Sequence, residues 1–279
     1  MLSYHRLISA LKYIGLRRDT PALTFLGPRI FAETQGGTAT LMGALLSTVD
    51  NVMLPAFTFS TVVIPESGPE NNLVDYGSGR EENLTANIYS YTLPSEMGNQ
   101  EAIDHLRNFP GVYRSSHPIL SFYGLGLDIA LINHPPENPY LPIQKMIDLN
   151  GWAVMLGAKP SQNFAIHYAE HMAKRKQFTR WALTPNGIAQ CEHYPGCPNG
   201  FGKLNYYLHD DLHQVTLDEF TIQGVPIKVL VETAAALLKE DPFAMLCNDL
   251  NCERCNLVRA DVRAQIAGNW KPEHPDKGV

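Results

Sequence analysis

The sequence has no excess of positive charge, and this absence argues against a nucleic-acid partner. The 279 residues include 22 Lys and Arg and 28 Asp and Glu, which gives a formal net charge of -6. Proteins that bind a phosphate backbone usually carry a basic patch or stripe. We therefore expect no nucleic-acid partner, and the charge mildly favours a cationic small molecule over a polyanion.

Long apolar runs are also missing. No segment approaches the roughly 20 consecutive apolar residues that a membrane-spanning helix needs. Residues 1–20 alternate apolar and basic side chains without a sustained apolar centre, which is typical of a surface helix rather than a secretory leader. We therefore expect no membrane partner and a cytoplasmic location.

Cysteine is scarce. The chain has five cysteines, an odd number, which predicts free thiols or a metal site in a reducing compartment rather than a disulfide framework. The rest of the composition, 44% hydrophobic and 18% charged, is ordinary for a soluble globular protein. A chain of this length can bury a full core and suits one large domain or two tightly joined ones.

Helix and strand signals alternate along the chain. The apolar run ALTFL at residues 22–26 ends at Gly27 and Pro28 and predicts a strand followed by a turn. The segment VMLPAFTFSTVVI at residues 52–64 is β-branched and aromatic, which predicts a buried strand interrupted at Pro55.

Two glycines precede the next predicted helix. Gly36, Gly37 and Thr38 open a segment whose apolar residues recur at helical spacing through residue 49. Glycines at a helix N-terminus let backbone N–H groups approach a phosphate, where the helix dipole favours negative charge. A tight turn that uses glycine explains the same residues equally well, so both interpretations stay open.

The segment WAVMLGAKPSQNFAIHYAEHMAKRK at residues 152–176 is typical of a strand, a turn and a helix. Residues 153–156 form the apolar strand, and Pro160 sets the turn. Ser161 is the expected N-cap of a helix that ends at the basic residues 174–176.

On that helix, His167 and Glu170 are three residues apart, so their side chains share one face and can touch. A carboxylate beside an imidazole can orient the ring and support the removal of a proton from a substrate near neutral pH. This pair predicts general-base chemistry of the kind that acyl transfer to an amine requires.

A second group of polar residues lies in LRNFPGVYRSSHPILSFYGLG at residues 106–126. Arg114, Ser115, Ser116 and His117 directly precede Pro118, which disfavours helical backbone at His117. A guanidinium beside two hydroxyls can hold an anion, with Arg114 as the fork. A hydrogen-bonded loop without a ligand is the alternative interpretation.

Four segments occur in the order and approximate spacing of a known family. These are FPGVYRSSHPILSF at residues 109–122, the LGA turn at 156–158, HYAE at 167–170 and YPGCPNGF at 194–201. Together they resemble the aminoglycoside 3-N-acetyltransferase family, and the likeness extends from about residue 36 to residue 237.

The resemblance implies a three-layer α/β sandwich with a central mixed β-sheet, formed as a single acetyltransferase-like domain over residues 1–279 with a cysteine-containing tail at 243–279. It also implies acetyl-CoA as the donor and an amine acceptor, which in the family is usually carried by an antibiotic aminocyclitol. The sequence leaves the oligomeric state open, and a homodimer is compatible with it.

The site residues implied by the resemblance follow the matching motifs. His167 and Glu170 match the His-x-x-Glu of the family, so His167 is the expected base and Glu170 its orienting partner or a contact to the cationic acceptor. Ser115, Ser116 and His117 match an Arg-Ser-x-His-Pro stretch that begins at Arg114. The resemblance places that stretch along the coenzyme or the reacting thioester.

Gly36, Gly37 and Thr38 match the pair of glycines before the first buried helix of the family, which implies a pyrophosphate contact. Elsewhere the chain departs from the family. Residues 25–27 are Phe-Leu-Gly where relatives have His-Ser-Ser, and residues 54–57 are Leu-Pro-Ala-Phe where relatives have Met-Pro-Thr-Phe. Thr58 is the nearest hydroxyl that could serve the coenzyme instead. These differences leave open a different donor or acceptor, or a divergent member with a biosynthetic or binding role.

A zinc-dependent hydrolase is the main rival. Residues 167–171 spell His-x-x-Glu-His, the pattern of inverzincin peptidases, in which two histidines bind Zn²⁺ and the glutamate polarises water. The pattern is short and needs a distant third ligand, for which Glu219 and Glu232 are the available residues.

The C-terminal tail raises a separate metal question. Cys247, Cys252 and Cys255 form a C-x4-C-x2-C array, and a closed zinc site needs a fourth ligand, which Cys197, Cys191 or His213 could supply. Free thiols are the default interpretation of three such cysteines. The sequence therefore leaves a structural zinc site as an open prediction.

Overall fold

A seven-stranded mixed sheet forms the centre of the computed structural model, which describes residues 1–127 and 133–269. The strands of the described chain are β1 (Ala22–Leu26), β2 (Val52–Pro55), β3 (Val62–Val63), β4 (Val112–Arg114), β5 (Phe122–Leu125), β6 (Trp152–Leu156), β7 (Phe178–Thr184), β8 (Gly187–Tyr194), β9 (His213–Leu217) and β10 (Phe220–Pro226). The order in the large sheet is β4-β5-β2-β1-β6-β10-β9, and β3, β7 and β8 form a separate small sheet.

Helices cover both faces of the large sheet. In the described residues they are α1 (Tyr4–Tyr13), α2 (Ile30–Glu33), α3 (Gly37–Thr48), α4 (Glu82–Thr85), α5 (Gln100–Leu106), α6 (Leu141–Asp148), α7 (Ala165–Met172), α8 (Asn205–Leu208), α9 (Ile227–Glu240) and α10 (Glu253–Asn269). Among these described helices, none combines the length and the apolar character needed to cross a membrane.

The alternation of side chains along the central strands explains the layers. In β1, Leu23 and Phe25 pack with the residues of α6, α7 and α9, whereas Ala22 and Leu26 pack with those of α1, α3 and α5. All five residues of β1 are buried, and since neighbouring residues of a strand point to opposite faces, such a strand must be covered on both sides. The structure therefore confirms the three-layer α/β sandwich.

The centre of the sheet is parallel and its flanks are antiparallel. Strand β1 pairs in parallel with β2 and β6, while β5 and β10 pair antiparallel with β2 and β6. The carboxyl ends of β1, β2 and β6 therefore lie at one edge of the sheet, which we call the carboxyl edge. In open α/β sheets, ligands usually bind in the crevice outside this edge.

The turn between β6 and α7 differs from the expectation based on Ser161. Pro160–Gln162 form a 3-10 turn, and α7 begins only at Ala165. The side-chain oxygen of Asn163 accepts a hydrogen bond from the backbone N–H of Ala165, so Asn163 provides the polar contact expected of Ser161. The helix also ends at Met172, before the basic residues 174–176.

Candidate active site

His167 and Glu170 meet on α7 as their spacing predicts. Nδ1 of His167 lies 2.6 Å from Oε2 of Glu170, and both side chains are buried. A carboxylate can only accept hydrogen bonds, so Nδ1 carries the proton of the neutral ring. This tautomer leaves Nε2 of His167 as the basic nitrogen.

A third side chain, Arg175, joins His167 and Glu170, and the sequence did not reveal this candidate functional residue. Its Nη1 donates to Oε1 of Glu170 at 2.9 Å, and its side chain is buried. The chain reaches this position through a Schellman turn, in which the N–H of Arg175 donates to the carbonyl of Glu170 and Lys174 has a φ of 56°. The left-handed residue folds Arg175 back toward the helix.

We call His167, Glu170 and Arg175 the triad. The charges within the triad keep the Glu170 carboxyl ionised. Burial alone raises the pKa of a carboxyl, but the adjacent His167 and the Arg175 guanidinium outweigh it and hold the pKa of Glu170 below its ordinary value. Glu170 and Arg175 therefore form a buried ion pair behind Nδ1 of the His167 ring.

Two aromatic rings border His167. The ring of Phe201 lies edge-on at 4.7 Å between centroids, and the ring of Phe164 lies at 5.7 Å. Phe201 comes from the YPGCPNGF segment, whose backbone at Gly200 passes so close to Met245 that an added Cβ would lie 2.0 Å from the Met245 carbonyl oxygen. His167 is buried, with 4% of its surface exposed.

The loops that follow β1, β2 and β6 converge at the carboxyl edge. The side-chain amide of Asn99 donates to the carbonyl of Pro55 at the end of β2. A cavity of about 480 Å³ lies in this region, between the segment that follows β1 and the segment that leads into α5. Its lining residues are Pro28, Phe31, Ala32, Gly98, Gln100 and Glu101. This cavity and His167 therefore belong to the same edge of the sheet.

Gly36, Gly37 and Thr38 lie at the N-terminus of α3, as expected. Gly36 and Gly37 have φ values of 84° and 62°, and an added Cβ on Gly37 would meet nothing within 4 Å. The hydroxyl of Thr38 donates to Oε2 of Glu101, which also lines the 480 Å³ cavity. Gly37 is therefore open to a ligand, whereas an added Cβ on Gly36 would lie 2.4 Å from the hydroxyl of Thr40, and the Glu101 carboxylate already stands where a pyrophosphate was expected.

Arg114 does not present an anion-binding fork, which corrects the sequence-based interpretation. Nη1 donates to the backbone carbonyls of Ser90, Tyr91 and Leu93, and Nη2 donates to the carbonyl of Ala56. The guanidinium also lies over two tyrosine rings, and only 7% of the residue is exposed. Arg114 therefore holds the loop at 90–93 against β2.

His117 is likewise structural rather than catalytic. The residue is fully buried, and its Nδ1 accepts hydrogen bonds from the backbone N–H groups of Ile119 and Leu120. Its ring packs at 4.9 Å from His134, a buried histidine that the sequence reasoning missed. Since no face of the ring reaches solvent, His117 cannot exchange a proton with a substrate.

Ser115, Ser116 and Thr58 also make internal hydrogen bonds. The Ser115 hydroxyl pairs with Nδ1 of His134 at 2.9 Å, and the Thr58 hydroxyl donates to the carbonyl of Pro118. Both residues are buried, which removes them as coenzyme contacts. Ser116 donates to the carbonyl of His134 and lines a separate cavity of about 660 Å³. A chain of ring contacts leads from His134 through Phe122 and Phe164 to His167.

The buried histidine pair predicts a loss of stability in mild acid. Burial lowers the pKa of His134 to about 3, and burial together with the nearby His134 holds the pKa of His117 far below its ordinary value. The folded chain therefore stays neutral at these sites while the unfolded chain binds protons below about pH 6.5. The stability contributed by these neutral histidines is fully present above that pH and falls as the pH drops toward 3. His134 accounts for a loss of about 2 kcal/mol at pH 5, and the loss from His117 has the same sign.

Urea unfolding at pH 7.5 and pH 5 measures this loss. In the His134→Gln variant the difference between the two pH values should shrink by about 2 kcal/mol, because an amide does not titrate. His5→Gln, at an exposed position of α1, is the matched control and should leave the difference unchanged. Equal pH dependence in all three proteins would show that the buried pair does not carry the effect.

The His-x-x-Glu-His pattern does not form a metal site in the described residues. Nδ1 of His171 pairs with the side-chain oxygen of Gln177, and its ring contacts Tyr140 and His193. The carboxylate of Glu219, a suggested third ligand, pairs with Arg29 at the surface. Within residues 1–127 and 133–269, the ligand atoms that converge on one point are instead four cysteine sulfurs. This arrangement disfavours a zinc hydrolase.

Comparisons with known proteins agree with this fold. The family model described as Aminoglycoside 3-N-acetyltransferase matches residues 29–239. Aminoglycoside N(3)-acetyltransferase IX of Micromonospora chalcea is 28% identical over 159 residues, which cover 52% of this chain and 54% of that protein. The match thus spans about half the length of this curated relative.

Two solved structures share the fold. The apoenzyme of aminoglycoside acetyltransferase AAC(3)-IVa has a TM-score of 0.70 at 18% identity, covering 93% of this chain and 97% of that chain. AAC-IIIb, solved as a binary complex with CoASH, has a TM-score of 0.67 at 19% identity, covering 85% and 96% of the two chains. At these identities the likeness establishes the fold alone.

Proposed function

Because the chain belongs to the aminoglycoside 3-N-acetyltransferase family, we propose that it transfers an acetyl group from acetyl-CoA to an amine of an aminoglycoside or related amino compound. His167 is the general base of the proposed reaction. The observation that carries the proposal is the buried chain from Arg175 through Glu170 to Nδ1 of His167 on the helix that follows β6.

The chemistry of an amine acceptor requires such a base. An alkylamine is mostly protonated at neutral pH, and its nitrogen must lose a proton as it attacks the thioester carbonyl. Nε2 of His167 takes that proton, while Nδ1–H stays bonded to Glu170. The Glu170 carboxylate stabilises the imidazolium that forms, and Arg175 keeps the carboxylate in place. The attack is direct, so no covalent enzyme intermediate is needed. The C–N bond forms, the C–S bond of the thioester breaks, and the proton held on Nε2 passes to the departing CoA sulfur, which leaves as CoA thiol.

The coenzyme has a candidate location at the carboxyl edge. The 480 Å³ cavity lies beside the loop after β1, and its Glu101 touches Thr38 at the N-terminus of α3. We place the pantetheine arm along this edge and the pyrophosphate near Gly36 and Gly37, where Gly37 leaves open space. The presence of CoASH in the solved AAC-IIIb complex supports CoA as the donor.

This location predicts the effect of removing the carboxylate of Glu101. If the pyrophosphate lies at the N-terminus of α3, Glu101 repels it, and Glu101→Gln should tighten CoA binding by about two- to fivefold. Isothermal titration calorimetry measures the change, with Glu82→Gln in the remote α4 as the matched control. Unchanged or weaker binding in Glu101→Gln would place the pyrophosphate elsewhere.

Residues 25–27 differ from those of relatives, so an activity assay must distinguish an acetyltransferase from a protein that binds CoA without transferring an acetyl group. Residues 25–27 replace the His-Ser-Ser of relatives, and Phe25 and Leu26 are buried in the core, so they offer no polar contact to a donor. The release of CoA thiol from acetyl-CoA, measured with a panel of aminoglycosides and simpler amines, tests the proposal. Release with at least one amine supports it, whereas CoA binding without release for any amine would favour a binding role.

The proposal also covers the cellular compartment, the small-molecule partners and the oligomeric state. None of the five cysteines of the chain, all of which lie in the described residues, forms a disulfide, which fits a reducing compartment such as the cytoplasm. A cationic amine and acetyl-CoA are the proposed small-molecule partners. Sedimentation equilibrium would test the homodimer that the sequence leaves open.

A further inference from the structure

Four cysteine sulfurs that are distant in sequence converge beside the C-terminal helix. The Sγ atoms of Cys197, Cys247, Cys252 and Cys255 all lie within 4.8 Å of one another. Cys197 belongs to the YPGCPNGF segment, Cys247 follows α9, and the other two flank the start of α10. From this convergence we propose that the chain binds one structural Zn²⁺ ion through these four thiolates.

The geometry suits zinc. A tetrahedral site with Zn–S bonds of about 2.3 Å places its sulfurs about 3.8 Å apart, so the four side chains need to draw in by only about 1 Å. Cys247 and Cys255 are buried, and Cys197 and Cys252 are half-buried, which gives the closed site typical of structural rather than catalytic zinc. Cys197 is thus the fourth ligand that the sequence left undecided.

The other two suggested ligands lie elsewhere. Cys191 is buried in β8, and its Sγ atom makes only a long contact with the carbonyl of Ala189. His213 stands in β9 with its ring against Trp152. Neither belongs to the four-cysteine cluster.

Three cations surround the cluster and hold its loops. Lys203 donates to the carbonyl of Leu246, and Arg259 donates to the carbonyl of Cys247. Arg254 donates to the carbonyl of Gly196, the residue before Cys197. Zinc with four thiolates carries a net charge of about -2, which neighbouring cations stabilise. The surroundings therefore complement the charged metal site.

The helix α10 adds to this complementarity. Cys252 directly precedes the helix and Cys255 lies in its first turn. The positive end of a helix dipole stabilises thiolates, which are the form of cysteine that binds metal. Neutral thiols and disulfides carry no negative charge for the three cations and the helix N-terminus to stabilise.

The proposed ion would tie together two segments that contact the candidate active site. One segment continues from Cys197 to Phe201, whose ring lies against His167. The other leads from Pro242 to Cys247, and Arg175 donates to the carbonyls of Pro242 and Ala244 within it. We therefore expect zinc to order both segments, whatever reaction the site performs.

Elemental analysis and cobalt substitution of the full-length chain test the site directly. Protein expressed with added zinc and purified without chelator should contain about one zinc per chain. Replacement by Co²⁺ should give the visible absorption of a tetrahedral tetrathiolate complex. A zinc content near zero that stays near zero after incubation with Zn²⁺, or stoichiometric iron instead, would overturn the proposal.

Variants and exchange measurements separate the metal site from a general effect on folding. Cys255→Ser should lose the metal, whereas Cys191→Ser is the matched control at a buried cysteine outside the cluster and should keep it. Chelation of the wild-type protein should lower the thermal midpoint by about 10 °C. It should also increase amide exchange in residues 195–204 and 242–248 more than in β1. Metal retention by Cys255→Ser, or uniform exchange after chelation, would contradict the assignment.

Discussion

Replacing His167 with alanine is expected to lower kcat for acetyl transfer by about 10²–10⁴-fold, the usual contribution of general acid–base catalysis. The loss should fall mainly on kcat, because the ring accepts a proton in the transition state while the substrates bind through other contacts. Glu170 keeps its pair with Arg175 in this variant, so no buried charge is left alone. Steady-state kinetics with saturating acetyl-CoA measures the change.

His171→Ala is the matched control for this experiment. His171 stands on the same helix, four residues later, but its ring pairs with Gln177 away from the triad. We expect kcat within a few-fold of the wild-type value. A His167→Ala enzyme with near wild-type turnover would show that another group removes the proton. Equal losses in both variants, together with stoichiometric zinc bound at His167 and His171, would revive the hydrolase interpretation.

Among the variants proposed, the one that removes the Arg175 guanidinium should lose the most unfolding free energy. Arg175→Met leaves the fully buried carboxylate of Glu170 without its cation, which typically costs about 3–5 kcal/mol of unfolding free energy. The pKa of Glu170 should rise in the variant, because burial then acts with less opposition. Urea unfolding at pH 7.5 measures the loss, and acetyl transfer should fall with it because the support of His167 weakens.

A double-mutant cycle identifies the source of that loss. Adding Glu170→Gln to Arg175→Met removes the unpaired charge and should recover part of the stability. Recovery stays incomplete because Arg175 also donates to the carbonyls of Pro242 and Ala244. If the double variant were no more stable than Arg175→Met, the cost would come from those carbonyl contacts rather than from the buried carboxylate.

The strands β1 and β6 and the His167–Glu170 pair were predictable from local patterns. Residues 22–26 and 153–156 are largely apolar runs that end at glycines, and such runs are typical of buried strands. The pair on α7 follows from helical spacing alone. The distance of 2.6 Å between Nδ1 of His167 and Oε2 of Glu170 confirms that the two side chains touch. The role of His167 as a base remains a prediction.

Arg175 could not be found in the same way. A residue five positions after Glu170 does not share its helical face, and only the left-handed backbone of Lys174 brings the guanidinium back. Glycine is the usual signal for such a turn, and here a lysine takes its place. The basic residues 174–176 were therefore interpreted as exposed charges at the end of the helix. One of them, Arg175, is instead a buried partner of Glu170.

The cluster around Arg114 shows a different limit. Arginine and serine before a strand suggested an anion site, but the carbonyls that satisfy the guanidinium come from residues 56 and 90–93. A sequence does not indicate whether donors point to a ligand or to a distant loop. Distance along the sequence also left the fourth member of the C-terminal cysteine cluster undecided, because Cys197 lies 50 residues before Cys247.

The structure of the full-length protein with CoA and an aminoglycoside bound together is the most direct test of the role of His167. The acceptor nitrogen should lie about 3 Å from Nε2 of His167, with the coenzyme sulfur beside it and the Nδ1–Glu170 contact retained. An acceptor nitrogen held instead in the cavity lined by Arg114 and Ser116, with His167 still enclosed by Phe164 and Phe201, would contradict the account.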